Sequence, residues 1–165
     1  MKTVTILLTR YSDIMGRFIC KISRYKYSHA SISIDEKEEV FYSFNTKGFT
    51  IEKPKKHIPR LRQQGSLCIR MKVSEDIHKR IADEIEKFMN KKEDLKYSNL
   101  GVILCLLRVP HKFKNRYFCS QFVAEILASA GAIELRKKAT LYVPGQLVDG
   151  IESCFASTQL VYNEI

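Results

Sequence analysis

The chain contains no tryptophan, and its 165 residues include only 7 glycines and 4 prolines. This scarcity excludes a collagen-like or low-complexity chain. A composition of 45% hydrophobic and 28% charged residues excludes a disordered one. A chain of this length buries roughly two-thirds of its unfolded surface, so it can fold without metal or disulfide staples. We therefore expect a single globular domain over residues 1–165.

The sequence also lacks a long apolar run. Its longest charge-free segment near the middle covers residues 97–107 and stops at Arg108, whereas a membrane-spanning helix needs about 20 apolar residues. Near the start, the apolar run 4–8 is soon followed by Arg10 and Asp13, and no small-residue cleavage site follows it. We expect a cytoplasmic protein without a signal peptide or a transmembrane helix, with membrane association limited to the surface.

Paired cysteines are missing as well. The five cysteines form no CxxC pair, and none clusters with histidine at the spacing of a metal site. An odd number leaves at least one thiol free. These observations argue against a disulfide framework and a zinc site, and we expect no metal and no cofactor. The cysteines are Cys20, Cys68, Cys105, Cys119 and Cys154.

Basic residues outnumber acidic ones, 28 to 18, which gives a formal net charge of +10. Such an excess favours an anionic partner, either an acidic membrane surface or a nucleic acid. Nucleic acid is the less favoured of the two, because aromatic residues do not interleave with the basic segments 53–62 and 136–138. The segment 53–62, which includes His57, is most simply a solvated basic loop. The oligomeric state is not predicted.

The hydrophobic pattern predicts an α+β fold. Alternating or compact β-favouring runs predict several strands, two of which form a hairpin around the charged turn 35–38. The predicted strands are 4–9, 30–34, 39–44, 48–51, 66–73 and 159–162. Helical spacing predicts a basic helix capped by Ser12 or Asp13, a helix capped by Ser74, and a helix over 118–130 that ends at Gly131. Residues 141–147, which contain Pro144 and Gly145, are predicted to form a loop.

Cys119 lies in the first turn of the predicted helix 118–130. The positive end of a helix dipole favours a thiolate, the nucleophilic form of cysteine, and Arg116 could act in the same direction. The alternative is a buried structural thiol, since Cys119 shares a helix side with Phe122 and Val123.

A nucleophilic thiolate needs a base. Of the four histidines, only His29 adjoins a well-defined predicted strand, which would hold an imidazole rigidly. His57 and His111 lie in apparent loops, and His78 lies in the first turns of a surface helix, so these three are poorer candidates. A structural role for His29 is the alternative.

Three short strings, YSHASI at 27–32, VFYSF at 40–44 and YFCSQFV at 117–123, resemble the circularly permuted NlpC-type papain-like hydrolases, in particular their YiiX-like and YycO-like branch. ILLTR at 6–10 and YVP at 142–144 extend the likeness over most of the chain. The resemblance implies an antiparallel sheet packed against helices. It also implies a catalytic dyad in which the histidine precedes the cysteine, matched here by His29 and Cys119.

In that family a third polar residue, on the strand after the histidine, orients the imidazole. Here the position falls on Tyr42, or on Ser43 if the hairpin turn shifts by one residue. A hydroxyl can accept a hydrogen bond from imidazole but supplies no negative charge, so it would stabilise an imidazolium less well than a carboxylate. Glu52 is a further alternative if the next strand folds back.

The resulting hypothesis is a cysteine hydrolase in which Cys119 forms a thioester and His29 transfers the proton. The N–H of Cys119 and a hydroxyl such as that of Tyr27 would bind the oxyanion. The resemblance implies a peptide, amide or lipid-acyl substrate, and the apolar segment 100–109 could line an acyl groove or be a buried helix or strand. The alternatives are an inactive papain-like module that binds a peptide or an anionic lipid, and a nucleic-acid binder.

Overall fold

The structure is a computed structural model that describes residues 1–57, 65–156 and 159–164. The predicted basic loop 53–62 begins with a 3-10 turn, Pro54–His57, and its remaining residues lie outside the described part of the chain.

A six-stranded sheet forms the centre of the fold, with the strand order β4-β3-β2-β1-β5-β8. Every pair of neighbouring strands is antiparallel. A separate pair of two-residue strands, β6 and β7, is parallel. The strands are β1 Lys2–Thr9, β2 His29–Ser33, β3 Phe41–Asn45, β4 Gly48–Glu52, β5 Leu67–Val73, β6 Lys96–Tyr97, β7 Arg116–Tyr117 and β8 Leu160–Glu164.

Within the described residues, five α-helices accompany these strands. Side chains cap three of them, because Asp13, Ser74 and Ser98 each accept a hydrogen bond from a backbone N–H in the first turn. The helices are α1 Ile14–Ser23, α2 Glu75–Asn90, α3 Asn99–Leu106, α4 Cys119–Ser129 and α5 Gln146–Glu152. Among the described residues, no helix has both the length and the apolar character needed to cross a membrane.

The main core lies between one face of the sheet and helices α2 and α4. Apolar side chains alternate along β1 and β2 toward these helices, and aromatic rings at the centre contact one another edge to face or tilted. The core includes Val4, Ile6, Leu8, Ile32, Phe44, Phe49, Ile81, Ile85 and Phe122. A second cluster joins α1 to α3 and to the residue before α4, through Ile19, Val102, Cys105, Phe118 and Val143.

The predicted strands and the helices capped by Asp13 and Ser74 are confirmed, and so is the helix that ends before Gly131. The loop predicted over 141–147 is wrong in part, because α5 begins inside it at Gln146. Pro144 and Gly145 lie just before that helix, where a missing N–H and a fixed backbone angle are compatible with helix initiation. The segment 100–109 is largely helical, as α3, with one buried and one exposed side.

Candidate active site

Cys119 is the first residue of α4 and is almost fully buried, with 4% of its surface exposed. The preceding residue, Phe118, is extended and caps the helix without a side-chain hydrogen bond. The backbone N–H groups at this end therefore have no partner within the helix. The strand β7 leads the chain into this position, so the sulfur lies where the sheet, α3 and α4 meet.

His29 is the first residue of β2 and pairs with Thr9 of β1. Its ring is buried and stacks on the ring of Tyr11, with 4.6 Å between the centroids and 19° between the planes. The imidazole Nε2 lies 2.8 Å from Glu52 Oε1, and an interaction with the Cys119 side chain contributes to the pKa of the ring. The structure thus brings together the cysteine and the histidine that the sequence singled out, and adds a carboxylate.

The environment of His29 favours its protonated form. Burial by itself lowers the pKa of the imidazole, but the negative charge of Glu52 and the hydrogen bonds to Cys119 and Glu52 outweigh it. The balance raises the pKa of His29 well above its ordinary value of 6.5. A protonated imidazole therefore places a positive charge near the side chain that begins α4.

Glu52 reaches the site because β3 and β4 form a tight hairpin. Asn45 pairs with Gly48 across its end, and Gly48 has a positive φ of 99°. A Cβ at this glycine would lie 2.3 Å from the backbone carbonyl oxygen of Leu95, so the close approach also requires glycine. The hairpin returns the chain along β3, and β4 ends at Glu52.

The other expected partners of the imidazole lie elsewhere. The ring of Tyr42 stacks on Phe49 and packs against the main core. The hydroxyl of Ser43 donates a hydrogen bond to the carbonyl oxygen of Ala30. The expectation that Tyr42 holds the ring is therefore corrected to Glu52, because side chains alternate along β3 and Tyr42 falls on its core side.

Tyr27, the expected oxyanion contact, is half-buried against the core, with the Lys26 ammonium 5.7 Å from the centre of its ring. A different phenol, that of Tyr97, lines a cavity beside His29. Burial and the nearby charges of Cys119, Asp13 and Tyr11 raise the pKa of Tyr97, so this phenol keeps its proton. No sequence pattern pointed to Tyr11 or Tyr97, because neither adjoins the candidate residues along the chain.

A cavity of about 190 Å³ opens beside the imidazole. Helix α1 contributes Met15 and Ile19 to its wall, and Asn99 begins α3 on the other side. Its remaining lining includes Tyr11, Ser28, His29 and Tyr97. The carbonyl oxygen of Ser28, which lines this cavity, accepts a hydrogen bond from Cys119 Sγ at 4.0 Å.

No protein-family model matches the sequence, and no curated protein matches it significantly. One solved structure similar to it is that of the metalloprotein YiiX from Escherichia coli O157:H7 (DUF1105). The TM-score is 0.59 at 13% sequence identity, and the alignment covers 98% of this chain and 96% of that one. The chain has a YiiX-like fold. At this level of identity the similarity concerns the fold and carries no activity with it.

YiiX is described as a metalloprotein, which raises the question of whether the side chains of this chain fit a metal ion. Within residues 1–57, 65–156 and 159–164, no group of three or more His, Cys, Asp or Glu side chains is arranged for metal binding. The described donor set therefore does not fit a metal centre, and the chemistry below uses the chain's own side chains.

Proposed function

We propose that the protein is a circularly permuted papain-like cysteine hydrolase that cleaves an amide or an acyl ester. The observation that carries the proposal is the connected set Cys119, His29 and Glu52. A thiol at a helix N-terminus interacts electrostatically with an imidazole, whose Nε2 lies 2.8 Å from a carboxylate oxygen. A nucleophile, a base and an orienting group in hydrogen-bond contact are what acyl transfer through a covalent intermediate requires.

The first half-reaction starts from the ion pair in which the Cys119 proton already resides on His29, and the sulfur attacks the acyl carbon. Glu52 accepts a hydrogen bond through imidazole Nε2, which fixes the ring and leaves the second ring nitrogen for the thiol. The carbon–sulfur bond forms as the carbonyl electrons move to oxygen. When they return, the bond to the leaving group breaks, and that group takes the proton from His29. The product is a thioester on Cys119.

The second half-reaction reverses these roles. His29 takes a proton from water, the hydroxide oxygen attacks the thioester carbon, and the sulfur leaves and regains the proton. An amine or alcohol in place of water would make the same site an acyltransferase. In both halves the oxyanion is stabilised by the backbone N–H groups at the start of α4 and by the hydroxyl of Tyr97, which replaces Tyr27 in this role.

Thiol alkylation tests this proposal, with the other cysteines as internal references. Burial raises the pKa of Cys68 and of Cys105 to about 11, and Cys154 is an exposed thiol. With iodoacetamide at about pH 6.5, where ordinary thiols are largely protonated, Cys119 should be modified at least about tenfold faster than Cys154. Peptide mass spectrometry after timed quenching measures each rate, and a p-nitrophenyl ester should acylate the same sulfur.

The matched variants are Cys119→Ser, which should abolish acylation, and Cys154→Ser, which should not change it. His29→Gln should slow alkylation of Cys119 to the rate of an ordinary buried thiol. If Cys119 instead reacts no faster than Cys154 in the native protein, the hydrolase proposal fails. The protein would then be a binding module with a papain-like site.

A further inference from the structure

Two neighbouring helices, α1 and α3, both contribute residues to the wall of the cavity beside His29 and also expose apolar side chains. On α1, Ile14, Phe18 and Ile22 recur at four-residue intervals and are exposed by 89%, 43% and 46%. On α3 and just beyond it, Leu100, Ile103 and Leu107 follow the same helical spacing and are also exposed. The helices pack on each other through their inner sides, so we call this combined surface the α1–α3 face.

A strongly basic depression borders this face. It has a volume of about 500 Å³, and its lining includes Cys20 and Tyr25 together with five basic side chains. The five are Arg10, Arg17, Lys21, Arg24 and Lys26. Within the described part of the chain, none of these cations forms an ion pair with an acidic side chain. They are therefore available to an anion from outside.

Acidic residues are nearly missing from this part of the sequence. Between Arg10 and Lys26 the only one is Asp13, whose carboxylate caps α1, and residues 97–109 contain none. On α1 the basic residues Arg17, Lys21 and Arg24 follow one side of the apolar stripe. An apolar stripe beside a cationic one is the arrangement of a helix that lies in the interface of an anionic membrane.

We propose that the α1–α3 face docks on the surface of an anionic lipid bilayer. The basic depression binds lipid phosphates, and Ile14, Phe18, Ile22 and Leu107 enter the boundary between headgroups and acyl chains. A nucleic acid could occupy the cations but has no use for the apolar stripe. A second copy of the chain would bring the same five cations against one another.

The docking places the candidate site at the lipid surface. The cavity beside His29 is walled by Met15 and Ile19 of α1, by Asn99 of α3 and by residues 44–46 of the β3–β4 hairpin, so both helices that would contact the bilayer border the site. If the proposed hydrolase activity holds, on which this step rests, the substrate is a lipid acyl ester or amide supplied directly from the membrane.

Vesicle co-sedimentation of the full chain tests the docking. Vesicles of phosphatidylcholine with about 30% phosphatidylglycerol should retain the protein at least about tenfold more strongly than pure phosphatidylcholine, with retention weakened by salt. Arg17→Ala combined with Lys21→Ala should weaken binding about 25-fold, since each basic residue contributes a factor of about five at such a surface. Phe18→Ser should weaken it about tenfold, because less apolar area is inserted.

Helix α2 supplies matched controls. Lys79→Ala with Lys87→Ala removes the same charge, and Met89→Ser alters an apolar residue that is 43% exposed, as Phe18 is. Neither should change binding. Cys119→Ser should bind as the native chain does, so a failed hydrolase would leave the docking result intact. The proposal would be overturned if both vesicle types retained the protein equally. It would also be overturned if the α2 control variants lost as much vesicle binding as the α1 variants do. So would a dimer in light scattering that Phe18→Ser dissociates.

Discussion

Helices α1 and α2 are both amphipathic and both capped by a side chain, yet their outer faces differ completely. Helix α2 exposes charges of both signs, and ion pairs such as Lys79–Asp83 join them along its surface. Helix α1 exposes Ile14, Phe18 and Ile22 beside cations that have no acidic neighbours on the helix. The inner faces of the two helices, in contrast, are alike, since both pack apolar residues on the protein interior.

The two helices show that the inner face of a surface helix is sufficient for folding, whereas its outer face is free to serve function. A buried stripe is sufficient to hold a helix in place, and α2 shows that its outer side can be fully solvated. The apolar outer side of α1 contributes nothing to the interior, and the proposed docking would give it a physical role. The same helix contributes Met15, Gly16 and Ile19 to the wall of the cavity beside His29.

The largest expected effect on the free energy of unfolding comes from replacing an isoleucine, which is buried on α2 but exposed on α1. Ile81 of α2 is fully buried, whereas Ile14 of α1 is 89% exposed. Ile81→Ala should lower the free energy of unfolding by about 2–5 kcal/mol, because it leaves a cavity in the main core. Ile14→Ala should change it by no more than about 0.5 kcal/mol. Urea denaturation followed by circular dichroism measures both.

A large loss of stability in Ile14→Ala would contradict the comparison, because it would mean that the residue packs against the protein itself. The two substitutions remove the same side-chain atoms from surface helices, so each serves as the control for the other. Reduced vesicle binding with unchanged stability in Ile14→Ala would sharpen the distinction.

Much of the fold could be predicted because its signals are local. Ser74 before Glu75 and Asp76 marks a helix start, Gly131 marks a helix end, and β1 and β5 show recognisable strand patterns. The start of α5 was missed because Pro144 and Gly145 suggest a loop and equally suit the entry to a helix. The exposed side of α3 was undecided, since an apolar run does not reveal which of its sides the protein covers.

The candidate site was harder to predict, because its third member depends on how two strands pair. His29 and Cys119 could be identified from the local sequence around them, because His29 begins a predicted strand and Cys119 begins a predicted helix. The position of Glu52 depends on the pairing of β3 with β4, and Gly48 at the turn is the local sequence feature that indicates this hairpin. Tyr97 is brought in by a parallel pairing of two-residue strands, β6 and β7, which leaves no readable pattern in a sequence.

A second contrast is between the largely buried ion pair His29–Glu52 at the site and the exposed ion pairs on α2. The raised pKa of His29 means that the folded state holds this proton more tightly than the unfolded state does. The stabilisation is fully present below about pH 6.5 and is lost as the pH rises through the folded value. Glu52→Gln should therefore lower the free energy of unfolding by about 1–3 kcal/mol near pH 6, with a smaller loss at alkaline pH.

Urea titrations of the native protein and of Glu52→Gln at several pH values test this expectation. The difference between the two should narrow as the pH rises, because His29 becomes neutral in the native protein as well. A difference that stays constant with pH would show that Glu52 acts through packing or a neutral hydrogen bond. If the stability difference between the native protein and Glu52→Gln grew with pH, its pH dependence would be opposite to the one expected from a raised His29 pKa.

The smallest expected change in stability comes from removing an ion pair on the outer face of α2. In the pair Lys79–Asp83 the atoms Nζ and Oδ2 are 2.9 Å apart, but both side chains are largely exposed to water. Solvent and salt screen such a pair, and ordering two mobile side chains offsets the attraction. Asp83→Asn should leave the urea midpoint unchanged within experimental error at about 0.15 M salt. A clear loss there would mean that α2, like the site around Glu52, depends on its charges for stability, and the contrast between solvated and functional charges would disappear.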